Sequence, residues 1–132
     1  MKSYLSLFIT AIFFVPVISI AASGSHDFSN GFKACYAAAN ASSESKATCL
    51  DDELKLQSKA VADAHASILQ TLPSTGKKQF SDDFSTWKKT ILLNCSLLAD
   101  DKTVPVEREN SRKYCLIENN IGRLNAYGNT AK

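Results

Sequence analysis

FSDDFSTWKKTILLNCSLL, residues 80–98, carries apolar side chains that recur every three or four positions. Positions with that spacing lie on one face of an α-helix, and the opposite face holds polar residues such as Asp82 and Lys89. The pattern predicts an amphipathic helix that packs on one side, and by itself it predicts no chemistry. The residues that we expect in the core are Phe80, Phe84, Trp87, Ile91, Cys95 and Leu98.

Two helices are predicted before this segment. A short one runs from about residue 28 to residue 40, with Ser29 or Asn30 as its N-cap. A long one runs from about residue 44 to residue 72, where Pro73 stops it. The core residues expected on the long helix are Leu50, Leu54, Val61, Ile68 and Leu72.

The remaining connections are marked by turn residues and proline. Residues 73–76, with the sequence PSTG, predict a turn, and residues 100–105 form the next connection. Pro105 is placed to open a last helix that ends near residue 126. No alternation typical of strands and no second domain is visible. The predicted fold class is all-α, a small disulfide-stapled antiparallel bundle with one short and three longer helices.

Several polar residues can be assigned within these helices. Asp51 can pair with Lys55, and Glu109 with Lys113, because each pair is one helical turn apart. His65 falls on or beside the apolar stripe of its helix. A histidine there could be a ligand or a base, but the predicted helices contain no second histidine and the chain has no nucleophile motif, so we interpret it as a packed side chain.

The first 21 residues have the pattern of a signal peptide. Lys2 precedes an apolar run over residues 5–20, and small residues follow at 21–24. A retained membrane anchor is the alternative, but Pro16 and the short length of the run favour cleavage, before Ala22. No cysteine lies near that position to carry a lipid. Residues 22–132 are therefore expected to form a single helical domain that is periplasmic or secreted.

Charge and cysteine content narrow the classes of function. The formal net charge of +2 gives no electrostatic basis for binding nucleic acid or an anionic membrane. Four cysteines in a small exported domain predict two disulfides rather than a metal site. Three pairings are possible. We predict that Cys35 joins Cys49 and that Cys95 joins Cys115, since each bond then links helices that are adjacent in sequence.

No enzyme is predicted. The chain lacks the common nucleophile, zinc-protease and phosphate-loop motifs. Adjacent residues on a helix point about 100° apart, so neighbouring carboxylates are poor candidates for a shared acid–base site. We therefore expect no catalytic residue, no metal and no cofactor. This argument applies to Asp51 with Asp52 and to Asp82 with Asp83, whereas a third pair, Asp100 with Asp101, falls in a predicted connection.

The chain resembles the LprI-like lysozyme-inhibitor family over about residues 35–127. The resemblance rests on Cys49 followed by a long helix, on Trp87 eight residues before Cys95, and on Cys115 eight residues before Arg123. It departs from the family at Ile91, where an arginine is common, and in residues 100–112, which contain no glycine. The resemblance implies a small, exported, helical protein that inhibits a lysozyme-type hydrolase.

The expected partner is thus a lysozyme-like or other peptidoglycan-degrading enzyme, blocked by occlusion of its cleft. The alternatives are a periplasmic immunity protein against a cell-wall-degrading toxin and a structural envelope protein. A rigid projection suits an inhibitor, because pre-organisation limits the ordering cost of binding. We therefore place the partner-binding surface at Asp100, Asp101 and Lys102, with residues 73–78 at the other end of the bundle as the second choice.

Overall fold

A computed structural model describes residues 25–40 and 42–130. These residues form four helices and no strand, which confirms the predicted all-α bundle of one short and three longer helices. The predicted signal peptide, residues 1–21, lies outside the described residues. The helices are α1 (Asn30–Ala38), α2 (Ser43–Thr71), α3 (Ser74–Ala99) and α4 (Pro105–Thr130).

Serine caps begin the first two helices. The hydroxyl of Ser29 accepts a hydrogen bond from the backbone N–H of Phe32, so Ser29 rather than Asn30 is the N-cap of α1. Ser42 caps α2 in the same way through the N–H of Ser45. Between the two helices the chain turns at Asn40, whose φ of 50° lies in the left-handed region that asparagine tolerates better than most residues.

The link between α2 and α3 is shorter than predicted. The carbonyl oxygen of Pro73 accepts hydrogen bonds from the N–H groups of Gly76 and Lys77, at 2.9 Å and 3.2 Å. The interpretation of residues 73–76 as a separate turn is therefore wrong, because α3 begins at Ser74 and its first turn uses those residues. Proline suits the position just before a helix, where it ends α2 and fixes the backbone of the next helix.

α4 occupies the central position in the packing. It shares a long interface with α2 and a shorter one with α3, whereas α2 and α3 touch over only a short stretch. α1 packs against the first half of α2. The largest of the fully buried side chains come from the three long helices and are Leu50, Val61, Cys95 and Ile117.

One predicted core position on α3 is wrong. Leu98 is exposed, and Ala99 is buried in its place. The inward face of α3 continues from Cys95 by four residues to Ala99, where the chain turns and the N–H of Lys102 donates to the carbonyl of Ala99 at 3.1 Å. A small side chain fits here, where the end of α3 and the turn at Lys102 approach closely. A leucine there would be crowded.

The two disulfides join neighbouring helices as predicted. Cys35–Cys49 links α1 to α2 with a Cα–Cα distance of 5.8 Å, and Cys95–Cys115 links α3 to α4 with a distance of 5.5 Å. Both distances are ordinary for disulfides. The structure thus selects one of the three possible pairings.

A buried carboxylate fixes the segment before α1. Glu53, only 2% exposed, accepts hydrogen bonds from the N–H of Ser29 at 2.9 Å and from the hydroxyl of Ser29. The side-chain amide of Gln57 donates to Glu53 at 2.8 Å and lies 3.3 Å from the carbonyl oxygen of Asp27. This network was not predicted. It attaches residues 27–29 to α2.

Candidate functional site

The connection between α3 and α4, residues 100–104, is restrained at both ends. The N–H groups of Asp100 and Lys102 donate to carbonyls in the last turn of α3. The guanidinium of Arg108 donates two hydrogen bonds to the carbonyl oxygen of Lys102, at 3.0 Å and 2.8 Å. Since the Cys95–Cys115 bond also joins the two helices, this connection is held in one conformation.

The three residues predicted to bind a partner all lie on this connection and are exposed. Lys102 is 3.2 Å from the carboxylate of its neighbour Asp101, an exposed contact that water screens strongly. Asp100 forms no ion pair with any described residue. Asp100 therefore presents a carboxylate without an ion pair to solvent, whereas Asp101 is paired with Lys102.

Exposed leucines border this connection. Leu92, Leu93, Leu97 and Leu98, which we call the leucine surface, lie in the last two turns of α3 and are 49–67% exposed. Leu98 and Lys102 also line the same depression, of about 680 Å³. Several large apolar side chains exposed near one end of a small domain are typical of a binding site. The sequence pattern had assigned Leu98 to the core, so it gave no indication of this surface.

The predicted core residues of α3 differ in burial. Phe84 and Ile91 are buried, while Phe80 and Trp87 are partly buried and pack against the same clusters. Trp87 separates two cavities. One, of about 490 Å³, is an apolar groove between α2, α3 and α4, and the other, of about 440 Å³, lies beside Arg123.

His65 has the surroundings of a packed side chain. Its ring stacks on those of Phe80 and Phe84, with centroid distances of 4.6 Å and 4.0 Å. Burial lowers the pKa of His65, and the positive charges of Arg123 and Lys88 lower it further. The imidazole is thus held in its neutral form.

The described residues include no group of three or more histidine, cysteine, aspartate or glutamate side chains arranged to hold a metal ion. The adjacent carboxylate pairs on α2, on α3 and in the α3–α4 connection are all exposed to solvent. Within the same part of the chain, no helix combines the length and the apolar composition needed to cross a membrane.

Comparisons with known proteins return no match among family models, curated proteins or solved structures. The geometry does explain the two spacings of eight residues on which the family resemblance rests. On the antiparallel helices α3 and α4, Cys95 bonds to Cys115, and eight residues away along both helices Trp87 contacts Arg123. Because the two helices are antiparallel and both spacings are eight residues, Trp87 lies opposite Arg123 just as Cys95 lies opposite Cys115. From the sequence, Arg123 contributed only to the family resemblance. The equal spacing of Trp87 from Cys95 and of Arg123 from Cys115 is the signal that could have predicted their contact.

Proposed function

We propose that the exported chain is a protein-binding module that inhibits a lysozyme-type peptidoglycan hydrolase by occluding its substrate cleft. The observation that carries the proposal is the restrained and exposed connection of residues 100–104. A segment that is already ordered loses little conformational entropy on binding, so more of the contact energy is available as affinity. This is the property that an inhibitor inserting into a cleft requires.

Charge supports a basic partner. Asp100 and Asp101 place two carboxylates at this end of the bundle, beside the cations Lys102 and Arg108, and Asp100 is the one without an ion pair among the described residues. A local charge of this kind accelerates association with an oppositely charged cleft and contributes less to the lifetime of the complex. Many lysozymes carry a positive charge around the cleft, and the acidic connection is complementary to it.

The leucine surface supplies the apolar part of the interface. Stable protein interfaces have an apolar centre surrounded by polar residues, and charge alone rarely holds a complex together. Leu97 and Leu98 adjoin the acidic connection, so a partner that contacts Asp100 also reaches them. The two features together form one candidate surface.

The class of partner follows from the resemblance and from the signal-peptide pattern of residues 1–21. An exported inhibitor meets its enzyme outside the cytoplasm, where peptidoglycan hydrolases act. An immunity protein against a cell-wall-degrading toxin would use the same kind of surface on a different enzyme. A structural envelope protein would need no enzyme partner.

The test is an inhibition assay of a basic c-type lysozyme on cell walls, with the oxidised protein of residues 22–132. Replacing Asp100 and Asp101 by alanine is expected to slow association and to flatten its dependence on salt concentration, with the fold unchanged. The matched control replaces Asp82 and Asp83 by alanine. It removes the same charge from an exposed part of α3 far from the connection, and inhibition should persist.

The outcomes separate the candidate functions. Unaltered kinetics in the Asp100/Asp101 variant would move the binding surface to residues 73–78. If lysozyme is not inhibited, a pull-down from envelope extracts decides between the alternatives. Recovery of a toxin hydrolase would indicate an immunity protein, and recovery of envelope components without any hydrolase would indicate a structural role.

A further inference from the structure

Arg123 on α4 is held against two aromatic rings. Its guanidinium carbon lies 5.1 Å from the ring centroid of Trp87 and 4.9 Å from that of Tyr127. Both distances are within the range of cation–π attraction. The side chain is partly buried. The guanidinium is therefore fixed in position before any ligand arrives.

The charge of Arg123 is not neutralised within the described part of the chain. No carboxylate there lies within ion-pair distance of the guanidinium, and its Nε is buried without a hydrogen-bond partner. Removing a charged donor from water without pairing it costs free energy, and most such groups in folded proteins have a partner. An arginine in this state is suited to bind an anion.

The charges on the aromatic cluster beside Arg123 are positive, although Glu118 lines the cavity itself. Lys88 lies 4.8 Å from the ring centroid of Phe84, on the same aromatic cluster. The positive charges of Lys88 and Arg123 both act on His65, whose pKa is lowered mainly by burial and also by these two charges. No acidic side chain counters them at His65. Lys88 lines the neighbouring cavity and not this one, so the attraction of an anion rests on the charge of Arg123 itself.

An open cavity of about 440 Å³ adjoins the guanidinium. Its walls include Trp87, Asn119 and Arg123, and its rim carries the exposed carboxylate of Glu118. Gly122 leaves part of the wall without a side chain, and a Cβ placed there would meet no atom within 4 Å. The volume is in the range of small-molecule sites.

We infer that this cavity binds a small oxyanion, a carboxylate or a phosphate group, through two parallel hydrogen bonds from the terminal nitrogens of Arg123. The planar guanidinium matches both groups, and its pre-organisation on the rings reduces the cost of binding. Glu118 at the rim opposes a large negative charge and limits the ligand to a small one. This site is independent of the acidic connection and of the proposed inhibition.

Trp87 is the only tryptophan of the chain, so its fluorescence reports on this cavity. The experiment titrates the oxidised protein of residues 22–132 with acetate and, separately, with inorganic phosphate, at constant ionic strength. We expect a saturable change in the emission of Trp87. Arg123→Gln should weaken binding about tenfold or more, the loss expected when charged hydrogen bonds are removed. Glu118→Gln should tighten it.

Two further variants complete the design. Arg108→Gln, the matched control, removes an exposed arginine from the same helix and should leave anion binding unchanged. Gly122→Leu should abolish binding because its side chain fills the cavity. It replaces a glycine in the middle of a helix and so should preserve the fold. If circular dichroism shows that Arg123→Gln is unfolded, Arg123→Lys is the substitute. It keeps the positive charge but lacks the two parallel N–H donors of the guanidinium, so it should also bind the anion more weakly.

Saturation by acetate indicates a carboxylate ligand, saturation by phosphate alone indicates a phosphate ligand, and either supports the site. A wild-type protein that saturates with neither anion would overturn the inference. So would affinities that are equal in the wild type, the folded Arg123 variants and Gly122→Leu.

Discussion

The hydroxyl oxygen of Tyr127 lies 3.4 Å from Nδ1 of His65, and this contact joins α4 to α2 inside the core. The imidazole also stacks on Phe80 and Phe84 of α3, so His65 on α2 contacts both of the other long helices. A neutral ring suits this site, since a charged one would be desolvated and would face two cations. The stability of the bundle is therefore linked to the protonation of one residue.

Stability should decrease as the solution becomes mildly acidic. The pKa of His65 is lowered in the folded state from its ordinary value of 6.5, so the unfolded chain takes up the proton first. The contribution of His65 is complete above that pH and is lost as the pH falls through the lowered pKa. Urea unfolding at about pH 7.5 and about pH 5.5 should show the decrease. His65→Phe keeps a stacked ring without a titrating group, and an undiminished pH dependence in that variant would contradict the assignment.

Glu53→Ala should be strongly destabilising. It leaves the N–H of Ser29 and the amide of Gln57 without their acceptor, and each buried donor that loses its partner costs about 1–3 kcal/mol. Urea unfolding measures the loss. Asp63→Ala is the matched control on the same helix, because its exposed pair with Lys59 should contribute less than about 1 kcal/mol. Equal effects of the two substitutions would show that the network does not hold the segment before α1.

Removing the two disulfides should affect stability similarly and inhibition differently. Each bond closes a short loop and should contribute about 3 kcal/mol. Replacing Cys95 and Cys115 by alanine also releases the α3–α4 connection, so inhibition should weaken. Replacing Cys35 and Cys49 by alanine leaves that connection restrained. Loss of inhibition in the second variant alone would place the binding surface near α1. Mass mapping of the unreduced protein checks the pairing itself.

Phe84→Ala should cost more stability than Trp87→Ala. Phe84 is buried in the core, and its loss should cost about 3–5 kcal/mol. The larger indole of Trp87 is only partly buried between two cavities, so its removal leaves a smaller void in the core. Thermal and urea unfolding of both variants give the order. A greater loss for Trp87→Ala would mean that the two cavities close around the indole in solution.

Leu97→Ser should reduce inhibition while changing stability by less than about 1 kcal/mol, because the side chain is exposed. Leu56→Ser is the matched control, a leucine on α2 that is 52% exposed against 60% for Leu97 and lies outside the leucine surface. It should keep full inhibition. If both substitutions weaken inhibition by the same factor, their effect is not specific to the leucine surface.

Local features made most of the fold predictable. Serine caps and prolines act on the residues next to them, so they fixed the beginning of α1 and α4 and the end of α2 to within one or two residues. The disulfide pairing followed from the same local order, since each bond joins two helices that are consecutive in the chain, α1 with α2 and α3 with α4.

Long-range choices were not predictable from the sequence. Asp51 pairs with Lys113 of α4 at 2.5 Å instead of with Lys55 one turn away, because the packing of α4 on α2 brings the lysine within reach. From the sequence, Glu53 is expected to be a solvent-exposed residue of α2. It is buried because the segment before α1, which is distant from it in the chain, binds it through Ser29. Ala99 replaces Leu98 in the core because the inward face of a helix depends on where its neighbour crosses.

The candidate surfaces were predictable only in part. The acidic residues of the α3–α4 connection are visible in the sequence, whereas the leucine surface depends on which face of α3 meets α4. The anion site required both the equal spacing of Trp87 and Arg123 from the disulfide and the absence, among the described residues, of an ion pair to Arg123. Absence of a partner becomes visible only in three dimensions.

The position of α4 at the centre of the bundle determines the order of events during biosynthesis. Ribosomes deliver the chain from its N-terminus, and α2 and α3 have little surface to offer each other until the last 26-residue helix is available. A nascent chain therefore stays loose until synthesis is nearly complete. A premature stop codon within α4 would likewise remove the scaffold for both other long helices.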